Sequence, residues 1–91
     1  MAANIVIPLV RRNQRYDILK LVEWKAKEGE VVRKGRAVLI AESDKATHEI
    51  DADINGFLHI VIPAGEKAMV GTVVGVVAAT KEELAELQKR K

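Results

Sequence analysis

Apolar and polar positions alternate along most of this chain with the two-residue period of strands rather than the 3.6-residue period of helices. In "NIVIPLV" Ile5, Ile7 and Leu9 share one face, and Pro8, with no N–H to offer a ladder, suits an edge strand. "ILKLVEW", from Ile18 to Trp24, interleaves aliphatic residues with Lys20 and Glu23. "AVLIA", from Ala37 to Ala41, is apolar throughout, which predicts a strand covered on both faces. Further on, His48, Ile50, Ala52 and Ile54 face one way while Thr47, Glu49, Asp51 and Asp53 face the other. Asn55-Gly56 reads as a tight turn, "FLHIVI" runs to Pro63, and "TVVGVVAA" is the last strand.

A repeat lies beneath these runs. Gly29, Glu30 and Gly35 recur at constant offset as Gly65, Glu66 and Gly71, and the same shift carries Trp24 onto Ile60, Val38 onto Val74 and Ala41 onto Val77. Turns and strands repeating together predict two similar halves of about four short strands each, as a pseudo-symmetric β-sandwich or flattened barrel. The tail "TKEELAELQKRK" changes period. Thr80 and Glu83 form a capping box, and Leu84 and Leu87 make one apolar stripe, so residues 80–91 are expected as a short helix or a linker. A helix that short is marginal alone and should fray.

Composition narrows the chemistry. The 91 residues amount to a single domain with a modest core, and with one Trp, one Tyr and one Phe that core must be aliphatic. No cysteine is present, which removes disulfides, thiolate metal sites and cysteine nucleophiles; redox chemistry would need an attached group. The net charge of +2 is too small to argue for nucleic acid. No run approaches the roughly 18–20 apolar residues of a membrane span. The opening "MAANIVIPLVRRNQ" carries its basic residues after the apolar run, the reverse of a secretory leader, so a bacterial cytoplasmic or mitochondrial-matrix location is expected.

One stretch resists a bland reading. "AESDKATHEI", from Ala41 to Ile50, sets Lys45 in a short polar break between two strands, with carboxylates on both sides. Physics places that lysine in water and leaves the turn type open, because Asp44-Lys45 lacks the Gly or Asn of primed hairpin turns. "ESDKATHEIDADINGFL" resembles the modification hairpin of the lipoyl domains of 2-oxo acid dehydrogenase complexes, whose E-[ST]-D-K-A core carries lipoic acid on its lysine. The resemblance spans about residues 4–79: "KEGEVVRKG", Trp24 and "NGFLHIVIPAGEKAMVGTVVGVV" all fit its framework.

The resemblance implies an all-β, flattened barrel of two four-stranded antiparallel sheets over residues 1–79, with Lys45 at an exposed hairpin tip. A lipoate ligase or lipoyl transferase would modify Lys45, recognising Asp44 and Ala46, with Glu42 as a flanking contact. The arm would be reductively acylated by a thiamine-diphosphate 2-oxo acid dehydrogenase. It would deliver the acyl group to coenzyme A at an acyltransferase core and be reoxidised by a flavoprotein, dihydrolipoamide dehydrogenase. The domain would thus be a carrier, not a catalyst, and its parent chain a dihydrolipoamide acyltransferase. The missing acyltransferase core and the charged "LQKRK" end suggest an excised or truncated piece.

Two features depart from the family. Arg11, Arg12 and Arg15 stand in a first loop that is usually rich in Ser and Thr, and they are expected to complement an acidic patch on the cognate dehydrogenase. His48 replaces a branched apolar residue and is expected to be hydrogen-bonded near the open end of the hairpin. His59 is expected to be an ordinary strand histidine. Glu42, Asp44, Glu49, Asp51 and Asp53 follow an outward strand face rather than a coordination loop, so no metal is expected. The rival functions are weaker. A biotinyl carrier shares the fold but flanks its lysine with methionines where Asp44 and Ala46 stand. The glycine-cleavage carrier has extra terminal elements. A basic barrel for nucleic acid would need stacking aromatics, and a small enzyme would need a nucleophile–base pair.

Overall fold

The alternating runs become eight strands and one helix in a computed structural model that describes residues 2–7, 18–43 and 47–89. In chain order these are β1 (Ala3–Val6), β2 (Ile18–Trp24), β3 (Val31–Val32), β4 (Ala37–Glu42), β5 (Thr47–Asp51), β6 (Gly56–Ile60), β7 (Lys67–Met69), β8 (Val73–Ala78) and α1 (Lys81–Lys89). They form two four-stranded antiparallel sheets, ordered β1-β8-β6-β3 and β5-β4-β2-β7. This is the expected flattened sandwich. Its core is aliphatic: Leu19, Leu21, Leu39 and Leu58 are wholly buried, with Ile5, Ile7, Val32, Val38, Val74 and Val77 around them. Each such side chain contributes roughly 1.5–3 kcal/mol by leaving water.

The repeat seen in the sequence is a structural pseudo-twofold, visible in the backbone hydrogen bonds. Gly35 N–H donates to the Ala52 carbonyl as Gly71 N–H donates to that of Ile7, and Ala52 N–H reaches Arg36 as Ile7 N–H reaches Thr72. Gly35 and Gly71 both have positive φ, 85° and 89°, where a side chain would be strained. Bulges repeat as well: the ladder slips between Ala37 and Leu39 on β4, and opposite Val73 and Gly75 on β8.

That bulge corrects one expectation. Val38 and Leu39 are both buried because the bulge turns two successive residues inward, whereas Ile40 and Glu42 face outward. The apolar run "AVLIA" therefore marks a bulged strand rather than one covered on both faces. A second correction concerns Asn55-Gly56. β5 and β6 lie in different sheets and Gly56 opens β6, so no hairpin exists there, and neither residue has positive φ. Gly56 is glycine because β8 leaves no room: a Cβ on it would fall 2.1 Å from the Ala78 carbonyl oxygen.

Trp24 closes the end of β2, its Nε1–H donating to the Ile62 carbonyl at 2.9 Å. Its ring lies so close to Gly75 that a Cβ there would sit 2.7 Å from Cη2.

The tail is a helix, and it is held. Thr80 Oγ1 accepts from Glu83 N–H at 3.1 Å, and the Glu83 carboxylate reaches back to Ala79 N–H at 2.8 Å. α1 packs on β6 and β8. Glu28 fastens its far end, accepting from Gln88 Nε2 at 2.9 Å, pairing with His59 Nδ1 at 2.8 Å and accepting from Ile60 N–H at 2.7 Å. Burial pushes the Glu28 carboxyl up, but the hydrogen bonds from Gln88, His59 and Ile60, with the His59 charge, hold it below its ordinary value. These contacts supply what a nine-residue helix lacks in isolation. Among the described residues no helix is long and apolar enough to cross a membrane.

Candidate functional site

β4 lies inside its sheet, paired to β2 on one side and β5 on the other, with Leu39 and Ala41 wholly buried. It runs outward to Glu42, which pairs with Thr47 and closes the β4–β5 hairpin; Ala41 faces His48, and Ile40 faces Glu49. Residues 43–46 join the strands. Asp44, Lys45 and Ala46, between Ser43 and Thr47, lie outside the described residues. Up to its last ladder pair, then, the segment around Lys45 is mounted on a central strand whose inward side chains are packed.

Glu42 is exposed on the outer face of the sheet and stands across from Lys20 on β2, which stands across from Lys67 on β7. Ile18, Lys20, Glu42, Ser43 and Lys67 line an open groove of about 310 Å³ beside the hairpin stem. Ile18 is the first described residue after the segment that holds Arg11, Arg12 and Arg15. Those arginines lie outside the described residues, but the groove joins the stem of their segment to the stem of the hairpin. Lys20 and Lys67 were not singled out in the sequence. The outward alternation of β2 could have found Lys20, whereas Lys67 needed the β2–β7 register.

His48 faces inward beside Ile50, as the alternation required. Nε2 is buried and has no hydrogen-bond partner among the described residues, so at this nitrogen the expected bond is not found. Replacing His48 with valine should therefore stabilise the domain by about 1 kcal/mol, because a buried unsatisfied nitrogen costs about 1–3 kcal/mol. Thermal unfolding should show a rise of about 4–8 °C; an unchanged or lower melting temperature would mean that the nitrogen is satisfied in solution. His59 sits on β6 as expected, held by Glu28.

Glu49 and Asp51 are exposed on the outward face of β5, an edge strand, where like charges discourage pairing with another chain. Among the described residues no three of His, Asp and Glu gather as they would around a metal ion.

A family model of biotin and lipoyl attachment, described as "Biotin-requiring enzyme", matches residues 15–77. The chain is 41% identical over 68 residues to component 4 of the chloroplastic pyruvate dehydrogenase complex acetyltransferase of Arabidopsis thaliana, covering 74% of this chain and 14% of that one. It is 35% identical over 91 residues to the corresponding acetyltransferase component of Rhizobium meliloti, covering 98% of this chain and 20% of the relative. The chain thus spans a fifth or less of these relatives. Its fold is shared by the lipoyl domain of the 2-oxoglutarate dehydrogenase complex of Azotobacter vinelandii (TM-score 0.64, 23% identity, 84% of this chain and 98% of that one). It is shared too by a part of Kluyveromyces lactis urea carboxylase (TM-score 0.68, 22% identity, 86% of this chain and 6% of that one).

Proposed function

The chain belongs to the biotin- and lipoyl-attachment family as a lipoyl carrier domain, and from that premise we propose that Lys45 is its attachment residue. The observation that carries the reading is the β4–β5 hairpin, closed by Glu42 and Thr47 on a packed central strand around the sequence "ESDKA". The lipoyl group would be held as an amide on the ε-amino nitrogen of Lys45. The residues present suit it: attachment needs one amine on a hairpin, and the strands that mount it turn exposed side chains, Glu42 and Thr47, outward at its base. When bound, the group supplies a dithiolane that takes up an acyl unit and two electrons.

The protein's own part is mechanical and recognitive. A stiff ladder holds the base of the arm, so the cargo stays at high effective concentration for each active site in turn. Asp44 and Ala46, with Glu42 beside them, present the lysine to a lipoate ligase or lipoyl transferase. Their identity disfavours a biotin ligase, which acts on a lysine between methionines. Partners of the loaded arm would be a thiamine-diphosphate 2-oxo acid dehydrogenase, an acyltransferase core and dihydrolipoamide dehydrogenase. The named relatives favour a complex of the pyruvate type, placed in the bacterial cytoplasm or the mitochondrial matrix. In isolation the domain would carry rather than catalyse.

Incubation with lipoate ligase, lipoate and ATP should add one lipoyl group to the intact mass, and biotin ligase with biotin should add nothing; the reverse result would reassign the domain. Arg11, Arg12 and Arg15 are assigned to docking on the dehydrogenase. Changing all three to glutamine should slow reductive acylation several-fold at low salt and less at high salt, as screening of exposed charges requires. Equal rates at both ionic strengths would remove that assignment.

A further inference from the structure

The end of the molecule remote from the hairpin carries a separate charged surface. In "KAKEGEVVRKGR", Lys25 to Arg36, five basic residues accompany two acidic ones. The fold turns both acidic side chains to partners other than these cations. Glu28 is turned to Ile60 N–H, His59 and Gln88, and Glu30 Oε1 accepts from Lys27 N–H at 2.8 Å. Lys25, Lys27, Arg33, Lys34 and Arg36 are all exposed, and none makes an ion pair among the described residues.

Three of them, Lys25, Arg33 and Arg36, line a groove of about 210 Å³ along β3 and the start of β4. β3 is the edge strand of its sheet, and Val31 on it is 62% exposed at the wall of the groove. The length of β4, six residues or about 20 Å, separates this surface from the hairpin.

We propose that this groove docks an acidic, extended segment of a partner protein, its carboxylates meeting Lys25, Arg33 and Arg36 and an apolar side chain covering Val31. Charge complementarity selects the occupant. An open groove on an edge strand fits an extended chain, and the only carboxylate in its lining, Glu30, is engaged with backbone. The paucity of aromatic residues gives bases nothing to stack on. Such a contact forms quickly, breaks easily and leaves the hairpin end free. The proposal uses neither Lys45 nor its modification, so its failure would leave the carrier reading untouched.

The test is a titration of the isotopically labelled, unmodified 91-residue chain with three probes: a glutamate-rich decapeptide containing one leucine, a single-stranded decanucleotide, and inorganic pyrophosphate. Amide shifts should be largest over residues 25–38 with the peptide. Changing Lys25, Arg33 and Arg36 together to glutamine should weaken peptide binding about tenfold or more at low salt, with the difference shrinking as salt is raised. The control Lys81→Gln with Lys89→Gln should bind as the parent does. A melting temperature for each variant verifies its folding, and Arg33→Gln alone serves if the triple change unfolds. Shifts scattered over every basic residue, unchanged binding by the glutamine variant, or tighter binding of the nucleotide or pyrophosphate at these residues would overturn the proposal.

Discussion

Lys45→Arg should fold as the parent does and gain no mass at all from lipoate ligase. Arginine keeps the charge of a polar turn and should change stability by less than about 0.5 kcal/mol. Its guanidinium, however, stays protonated at any pH the enzyme works at and offers no free amine to acylate. The loss of modification should therefore be complete, and reductive acylation of the chain should vanish with it. A second variant separates chemistry from placement. Exchanging the residues by Asp44→Lys with Lys45→Asp retains a lysine but moves it by one position along the segment between Glu42 and Thr47. A modifying enzyme that reads position within a tight geometry should leave this variant unmodified as well. Lipoylation of Lys45→Arg would show that another lysine is the attachment site, whereas lipoylation of the exchanged variant at residue 44 would overturn the argument from position; peptide mapping of the added mass tells the two apart.

Gly56→Ala should be the most damaging single methyl group in the described structure. Its Cβ would lie 2.1 Å from the Ala78 carbonyl oxygen, 2.9 Å from the Ala78 carbonyl carbon and 3.0 Å from Val77 Cγ1. The first two are backbone atoms of β8, which pairs with β6 through Phe57 and Ala78 and with β1 on its other side. Relief would have to come from parting β6 and β8, because no side-chain rotation clears the contact. Overpacking in a core costs about 1–3 kcal/mol and sometimes more; a backbone collision should sit at or above about 3 kcal/mol, a drop of at least about 12 °C in melting temperature. Gly75→Ala makes the comparison. There the nearest atom, 2.7 Å away, belongs to the Trp24 ring, which can shift by tilting, and the nearest backbone atom, the His59 carbonyl oxygen, is 3.1 Å away rather than 2.1 Å. Thermal unfolding should thus rank Gly56→Ala as clearly worse than Gly75→Ala; equal losses would refute the argument from backbone rigidity.

The strand faces were legible in advance because alternation is local. Ile5, Ile7, Ile50 and Ala52 are buried as their period required, and Glu49 and Asp51 are outside. The turn glycines could be read too, since the repeat of Gly35 at Gly71 reflects a backbone conformation that few other residues accept. β3 and β7 were not explicit: two or three residues are too short to show a period, and only pairing with β6 and β2 makes them strands. Asn55-Gly56 misled for a related reason. A glycine that permits positive φ and one that makes space for a distant strand look alike in a sequence.

By itself, then, the sequence determined the class of the fold, the aliphatic core and the pseudo-twofold, and it supplied the motif on which the proposal for Lys45 rests. Tertiary structure alone decided the strand order of each sheet, the bulge that buries both Val38 and Leu39, and the docking of α1 through Glu28, His59 and Gln88. Among the described residues it also left His48 Nε2 without a partner and the five cations of Lys25–Arg36 without an ion pair to their two acidic neighbours. The reason is distance along the chain. Whether a charge is neutralised, or a nitrogen satisfied, depends on groups that become neighbours only when the two sheets close on each other.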